Sequence, residues 1–127
     1  MMRIIIKEIV DQTQGYTINF ATEYGNASAL WRGNQPKIHH EYIVEFEIPD
    51  VLCWQKDIVS TEEKYSIGTE NNKFCLTGLL ESIEDDGYAI IRIGDDIVPI
   101  ETQGEPPALD TFVKLTTNTL FLYEVSY

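Results

Sequence analysis

Two acidic clusters, Glu84-Asp85-Asp86 and Asp95-Asp96, are the densest groups of chemically capable side chains in the sequence. Carboxylates so placed could hold a metal ion, act as an acid and base pair, or dock a cationic partner. The stretch Tyr88 to Ile93 between them reads as one strand, spanning roughly 20 Å at ~3.3 Å per residue. One ion cannot bridge that distance, and neither cluster has the Asp-x-Asp-x-Asp-Gly ladder with a trailing Glu that wraps calcium. No metal site and no cofactor are expected. Turn chemistry is the plainer reading of both clusters, because Asp beside Gly is what tight reversals favour. Docking of a basic protein is the functional one.

The other reactive residues are sparse. His39 and His40 are the only imidazoles, and neighbours in an extended segment point to opposite faces, so the pair cannot grip one metal. No Gly-x-Ser-x-Gly elbow is present to make a nucleophile of a serine. Cys53 and Cys75 lack C-x-x-C spacing and sit among apolar neighbours, which suits buried reduced thiols better than a disulfide or a reactive thiol. Carboxylate pairs for a hydrolase are available anywhere in so acidic a chain, and their abundance makes them uninformative. Among the aromatics Trp31 stands out. It ends a weak strand, adjoins Arg32 and a Gly-Asn turn, and is expected at a loop rim, where Trp and Arg anchor partners.

Charge narrows the classes further. The chain has 127 residues with 9 basic and 21 acidic side chains, a net charge of −12. From Phe74 onward ten acids face only Arg92 and Lys114, so that part alone carries −8. Such a field repels phosphate backbones and attracts basic proteins, so a nucleic-acid partner is not expected. No apolar run approaches the ~20 residues of a membrane span, and Met1-Met2-Arg3-Ile4-Ile5-Ile6-Lys7-Glu8 is too soon charged for a signal peptide. A cytoplasmic location without membrane attachment is the expectation.

These residues must be positioned by strands. Phe74–Ile83, Tyr88–Ile93, Ile97–Glu101, Thr111–Thr117 and Leu120–Val125 are short apolar or alternating runs separated by Asp, Gly, Pro and Asn reversals. Gly78 marks a bend or bulge, and Pro99 puts its strand at an edge or a bulge. The earlier half carries Ile4–Val10, Tyr16–Phe20, Ala27–Trp31, Tyr42–Ile48 and Val51–Trp54 in the same order. Gly15-Tyr16 answers Gly87-Tyr88 after 72 residues, and Gly33 with Pro36 answers Gly104 with Pro107 after 71. The recurrence reads as duplication of one five-stranded unit, although any two all-β halves place Gly and Pro at turns.

Between the halves, residues 57–71 have linker composition, with Ser60-Thr61-Glu62-Glu63 able to open a single helical turn. Little helix is expected elsewhere. The loop and alternating strand Gly104-Glu105-Pro106-Pro107-Ala108-Leu109-Asp110-Thr111-Phe112-Val113-Lys114-Leu115 resemble those of small barrels of the OB-like and SH3-like kind. That resemblance implies architecture and carries no function. The expectation is all-β: two five-stranded barrel-like units, 1–56 and 72–127, in tandem and packed together.

Three functions fit. The first is a non-enzymatic acidic protein, of inhibitor, immunity or accessory type, that docks a basic partner through Glu84, Asp85, Asp86, Asp95 and Asp96. The second is a barrel module binding a small ligand, sugar or peptide through exposed aromatics around Trp31 and Arg32. A carboxylate-using hydrolase comes third. The last strand, Leu120 to Tyr127, either closes a barrel or leaves an edge through which a homodimer could form.

Overall fold

The computed structural model describes residues 1–125. Twelve strands and no helix make up this part of the chain. They are β1 (Met2–Asp11), β2 (Tyr16–Thr22), β3 (Gly25–Arg32), β4 (Glu41–Glu47), β5 (Val51–Cys53), β6 (Ile58–Ser60), β7 (Ser66–Glu70), β8 (Lys73–Ile83), β9 (Tyr88–Ile93), β10 (Asp96–Gln103), β11 (Phe112–Thr117) and β12 (Phe121–Glu124). Alternation sets their faces: in β9 Ala89, Ile91 and Ile93 are buried while Tyr88, Ile90 and Arg92 look outward. The segment read as a linker contains β6 and β7. No helical turn opens at Ser60, because Thr61 Oγ1 accepts a hydrogen bond from Glu63 N at 3.1 Å and Thr61 N donates to Phe112 O at 3.0 Å.

Two barrel units result. The first is closed, in the order β1-β2-β3-β12-β4. The second sheet runs β5-β10-β9-β8-β11-β6, with β7 also paired to β8. A single bridge between Trp54 and Ile58 carries β5 toward β6 and nearly closes it.

The fifth strands are exchanged. β12, from the far end of the chain, lies in the first barrel, parallel to β3 (Leu122 opposite Trp31) and antiparallel to β4 (Leu122 opposite Phe46). β5 follows the first unit in sequence but lies in the second sheet, parallel to β10 with Leu52 opposite Thr102. Leu52 and Leu122 are both buried. Other registers correspond in the same way: Met2 opposite Val44 in β1 and β4 matches Leu76 opposite Leu115 in β8 and β11. Both halves also carry a register shift on their first hairpin, between Ile6 and Glu8 and between Leu80 and Ser82. Boundaries at 56 and 72 follow strand order but do not separate the sheets, since each barrel is completed by a strand from the other side. β12 has a partner on each side, so it offers no free edge for a homodimer; Ser126 and Tyr127 lie outside the described residues.

One hydrophobic core runs through both units. Phe46 stands edge-on to Phe20 of its own barrel and to Phe74 of the second sheet, with ring centroids 6.0 Å apart in each case. Gly25 holds the units together at another point. Its φ is +139°, and a Cβ there would come 2.0 Å from the carbonyl oxygen of Ile67, whose N–H donates to Tyr24 O at 3.0 Å. Gly78 is needed for closeness rather than for a bulge, which falls beyond it: a Cβ there would lie 2.5 Å from Arg92 O. Pro99 does sit on a free stretch of β10, because β5 covers only Glu101 to Gln103 of that edge. Thr102 N donates toward β9, at Gly87 O, so by alternation the nitrogen of Pro99 faces away from β9, where no ladder needs a donor.

Leu122→Ala tests the exchange. Loss of a buried leucine should cost ~2–5 kcal/mol, read by denaturant unfolding, with amide exchange accelerated first in β3 and β4. Acceleration confined to β11, the strand before β12 in sequence, would contradict the pairing.

Candidate functional site

The two acidic turns stand at opposite ends of β9. At one end the β8–β9 reversal is locked by Glu84 N donating to Tyr88 O at 2.8 Å, Gly87 N to Glu84 O at 3.0 Å and Tyr88 N to Asp86 Oδ1 at 3.0 Å. Asp86 thus serves the turn, while Glu84 and Asp85 project into water. A groove of about 390 Å³ separates this turn from Gly104 and Pro106. Behind it Thr102 Oγ1 donates to Gly87 O at 2.7 Å and accepts from Trp54 Nε1 at 3.0 Å. The floor is therefore rigid and its rim acidic.

At the other end Asp95 is exposed and Asp96 lies 3.3 Å from the amino group of Met1. The β2–β3 turn of the first barrel joins them here. Tyr24 has its phenol pushed up by burial first, then by Glu23, Asp96 and Asp95. Glu23 is thus a third acid at this end. Sequence reasoning could place Tyr24 at a reversal but gave no signal that this reversal meets a turn some seventy residues away.

Neutralising cations are few. Among the described residues the ion pairs are Met1 with Asp96, Arg3 with Glu41, Arg92 with Glu81 and Lys114 with Glu70. Both cations of the −8 segment are therefore engaged by acids, and none pairs with Glu84, Asp85, Asp86 or Asp95. Arg92, on the outer face of β9, gives its Nε to Glu81 and its Nη1 to Gly94 O at 3.4 Å.

Trp31 is not at a rim. It is 3% exposed, its Nε1 donates to Asn34 O at 2.8 Å, and its ring packs edge-on against Tyr42 with centroids 5.0 Å apart. Position 31 faces the barrel interior in the alternation of β3, and the Gly33-Asn34 turn folds back to satisfy the indole. Trp31 therefore cannot stack a ligand in the open. Arg32 is exposed on the outer wall, its guanidinium 4.1 Å from the Phe121 ring centroid. Beside them lies a groove of about 450 Å³ with Asp11, Gln14 and Tyr16 on its walls. Asp11 is held below the usual carboxylate range by hydrogen bonds from Thr13, first the backbone N–H and then the hydroxyl.

The histidines are loop residues. His39 N donates to Ile6 O at 2.7 Å and Ile6 N to His40 O at 3.1 Å, so their backbones extend the ladder of β1 while the side chains are exposed. Cys75 is buried, Cys53 is half-buried with Gln103 Nε2 donating to its Sγ at 2.9 Å, and both thiols are free. Among the described residues no three His, Cys, Asp or Glu side chains converge as a metal centre would need.

The Lys114–Glu70 pair, 2.7 Å long, gives a pH test. The hydrogen bond and charge of Lys114 hold Glu70 below the usual carboxylate range, and Glu70 holds Lys114 above the usual ammonium range. A depressed carboxylate stabilises the fold above its ordinary pKa and loses that contribution as pH falls through the folded value. Acidification from neutral pH through the carboxylate range should therefore lower the unfolding midpoint of the natural chain more than that of Lys114→Ala. Equal losses would show that the pair is screened away. No protein-family model, no curated protein and no solved structure matches this chain.

Proposed function

We propose that this chain is a non-enzymatic acidic binding protein, acting in the cytoplasm, that docks a basic protein partner. The observation that carries this reading is the unbalanced surface: Glu84, Asp85 and Asp95 are exposed at turns, no ion pair among the described residues engages them, and the nearby Arg92 is already taken by Glu81. Unpaired exposed carboxylates give up little hydration until a complementary cation arrives, and together they steer it in. The inhibitor, immunity and accessory roles all share this chemistry. A nucleic-acid partner is disfavoured by the same field.

The strand order of the first unit supports an OB-type reading over an SH3-type one: a five-stranded Greek-key barrel in which the fifth strand lies between the third and fourth and runs parallel to the third. In the second unit β5 again runs parallel to its third strand, but β6 stands between it and β11. A hydrolase would need two carboxyl groups converging in one pocket, whereas the acidic turns here are separated by the length of β9. A small-ligand module is the second reading. The groove beside Tyr16, Arg32 and Asp11 favours it, although Trp31 offers that groove no open face.

Isothermal titration with lysozyme, a compact basic protein, tests the docking chemistry. At low ionic strength binding is expected, weakening about tenfold or more near 0.3 M salt, where the Debye length shrinks to about 5–6 Å. The triple variant Glu84→Gln, Asp85→Asn, Asp86→Asn should weaken it at low salt without changing the thermal midpoint by more than a few degrees. Absence of binding at low salt, or binding indifferent to salt, would remove the reading.

A further inference from the structure

The matching register of the two hairpins supplies an internal control for the surface of the second unit. Core pairs fix the correspondence: Phe20 opposite Ala27 and Ile18 opposite Ala29 in β2–β3 match Ile91 opposite Val98 and Ala89 opposite Ile100 in β9–β10. Alternating with those inward pairs are outward ones, one between them and one beyond. In the first barrel they are Asn19 opposite Ser28 and Ala21 opposite Asn26; in the second they are Ile90 opposite Pro99 and Arg92 opposite Ile97. Thus the same scaffold, at the same register positions, is faced with two amides, a hydroxyl and an alanine on one barrel and with two isoleucines, a proline and an arginine on the other. Asn19 and Ser28 bond to each other there. Folding does not require apolar side chains at these β2–β3 positions, because the first barrel has Asn19, Asn26 and Ser28 there; beside its exchanged strand, where Leu30 lies opposite Phe121, its outer face is apolar.

The apolar face is open and has acidic ends. Ile97 is 44% exposed, Pro99 is exposed, and Val51 of β5, alongside Glu101, is 55% exposed. Its cation, Arg92, is neutralised by Glu81. Glu84 and Asp85 lie past one end of β9 and Asp95 past the other, with Glu101 between. Next to Ile97 and Pro99 the face runs into an apolar crevice of about 250 Å³ between the barrels, walled on its far side by Val44 and Phe46. Protein interfaces that bind tightly have this anatomy: an apolar centre with a recess for one anchoring side chain, and charge at the rim.

We propose that the outward face of β9, β10 and β5, together with this crevice, is the docking surface, and that its occupant is a basic protein presenting an apolar centre flanked by lysines or arginines. This rests on the reading that the chain docks a basic partner. A second copy of this chain is the wrong occupant, since face-to-face pairing would bring the same acidic turns together on molecules of net charge −12. A strand added beside β10 is disfavoured too, because Pro99 offers no donor along the free edge.

The test uses the full chain and two synthetic probes of equal charge, a short amphipathic leucine–lysine peptide and a lysine-only peptide. Affinity is read by fluorescence anisotropy at low ionic strength, and the contact surface by amide chemical shifts. The expected result is tighter binding of the leucine–lysine peptide, with shifts centred on Ile90, Ile97 and Val51. The variant Ile90→Asn, Ile97→Asn, Pro99→Ser, which copies the first barrel's face, should weaken that peptide by about tenfold. Val59→Ser, an equally exposed position on β6, should not. Should the triple variant fail to fold, Ile97→Asn alone, at an exposed site, carries the same comparison. If both peptides bind equally and the copied face changes nothing, the apolar surface is idle and the proposal is overturned, while docking by charge survives. If neither peptide binds, docking of a basic partner falls, and this surface assignment with it.

Discussion

The reciprocal loan of fifth strands is the constraint on which the rest of the structure depends. β12 fills the gap between β3 and β4, and β5 lies along β10. Without these insertions each unit has an unpaired row of backbone donors and acceptors and an opening into its core, costs that short barrels cannot absorb. Because each insertion comes from the opposite half, the two barrels are coupled by their hydrogen-bond ladders as well as by contact. The aromatic line Phe20, Phe46, Phe74 and the approach of Gly25 to Ile67 then consolidate a junction that the ladders have already fixed.

That rigid frame decides what the charge can do. A net charge of −12 works against compactness, and the chain tolerates it by placing acids on tight reversals and outward strand positions, where water screens them. The β8–β9 turn is locked by the hydrogen bonds of Asp86 and Gly87, and it holds Glu84 and Asp85 at one end of β9 while Asp95 stands at the other. Electrostatics and shape therefore point to the same side of the second barrel.

Much of the architecture could be read from alternation and punctuation. Tyr88–Ile93 was legible to the residue because a short run of strand-forming side chains lies between the Asp86-Gly87 and Gly94-Asp95 reversals. The β2–β3 and β9–β10 pairs do correspond in register, at an offset of 71 residues, one short of the 72 between Gly15-Tyr16 and Gly87-Tyr88, so that motif pair marks similar turns rather than equivalent positions. Three features escaped for physical reasons. β6 is only three residues long and β7 is short and mostly polar, and they exist because β11 and β8 offer open ladders to them. Trp31 looked exposed because the residues after it are turn formers, yet its own parity in β3 points it inward. The exchange left no local trace, since Val51–Cys53 and Phe121–Glu124 read as fifth strands whichever barrel receives them. Of the candidate site, the acidic turns were visible as composition, while the apolar surface between them emerges only when two hairpins are laid side by side.

The exchange also governs the timing of assembly on the ribosome. The first barrel's β1 to β4 are complete by Glu47, yet β12, the strand that shuts it, follows only at Phe121–Glu124. Until then the edges of β3 and β4 have no partner, and the nascent domain remains an open, sticky intermediate of the kind that chaperones hold. Such long-range closure also predicts slow folding for a chain of this size.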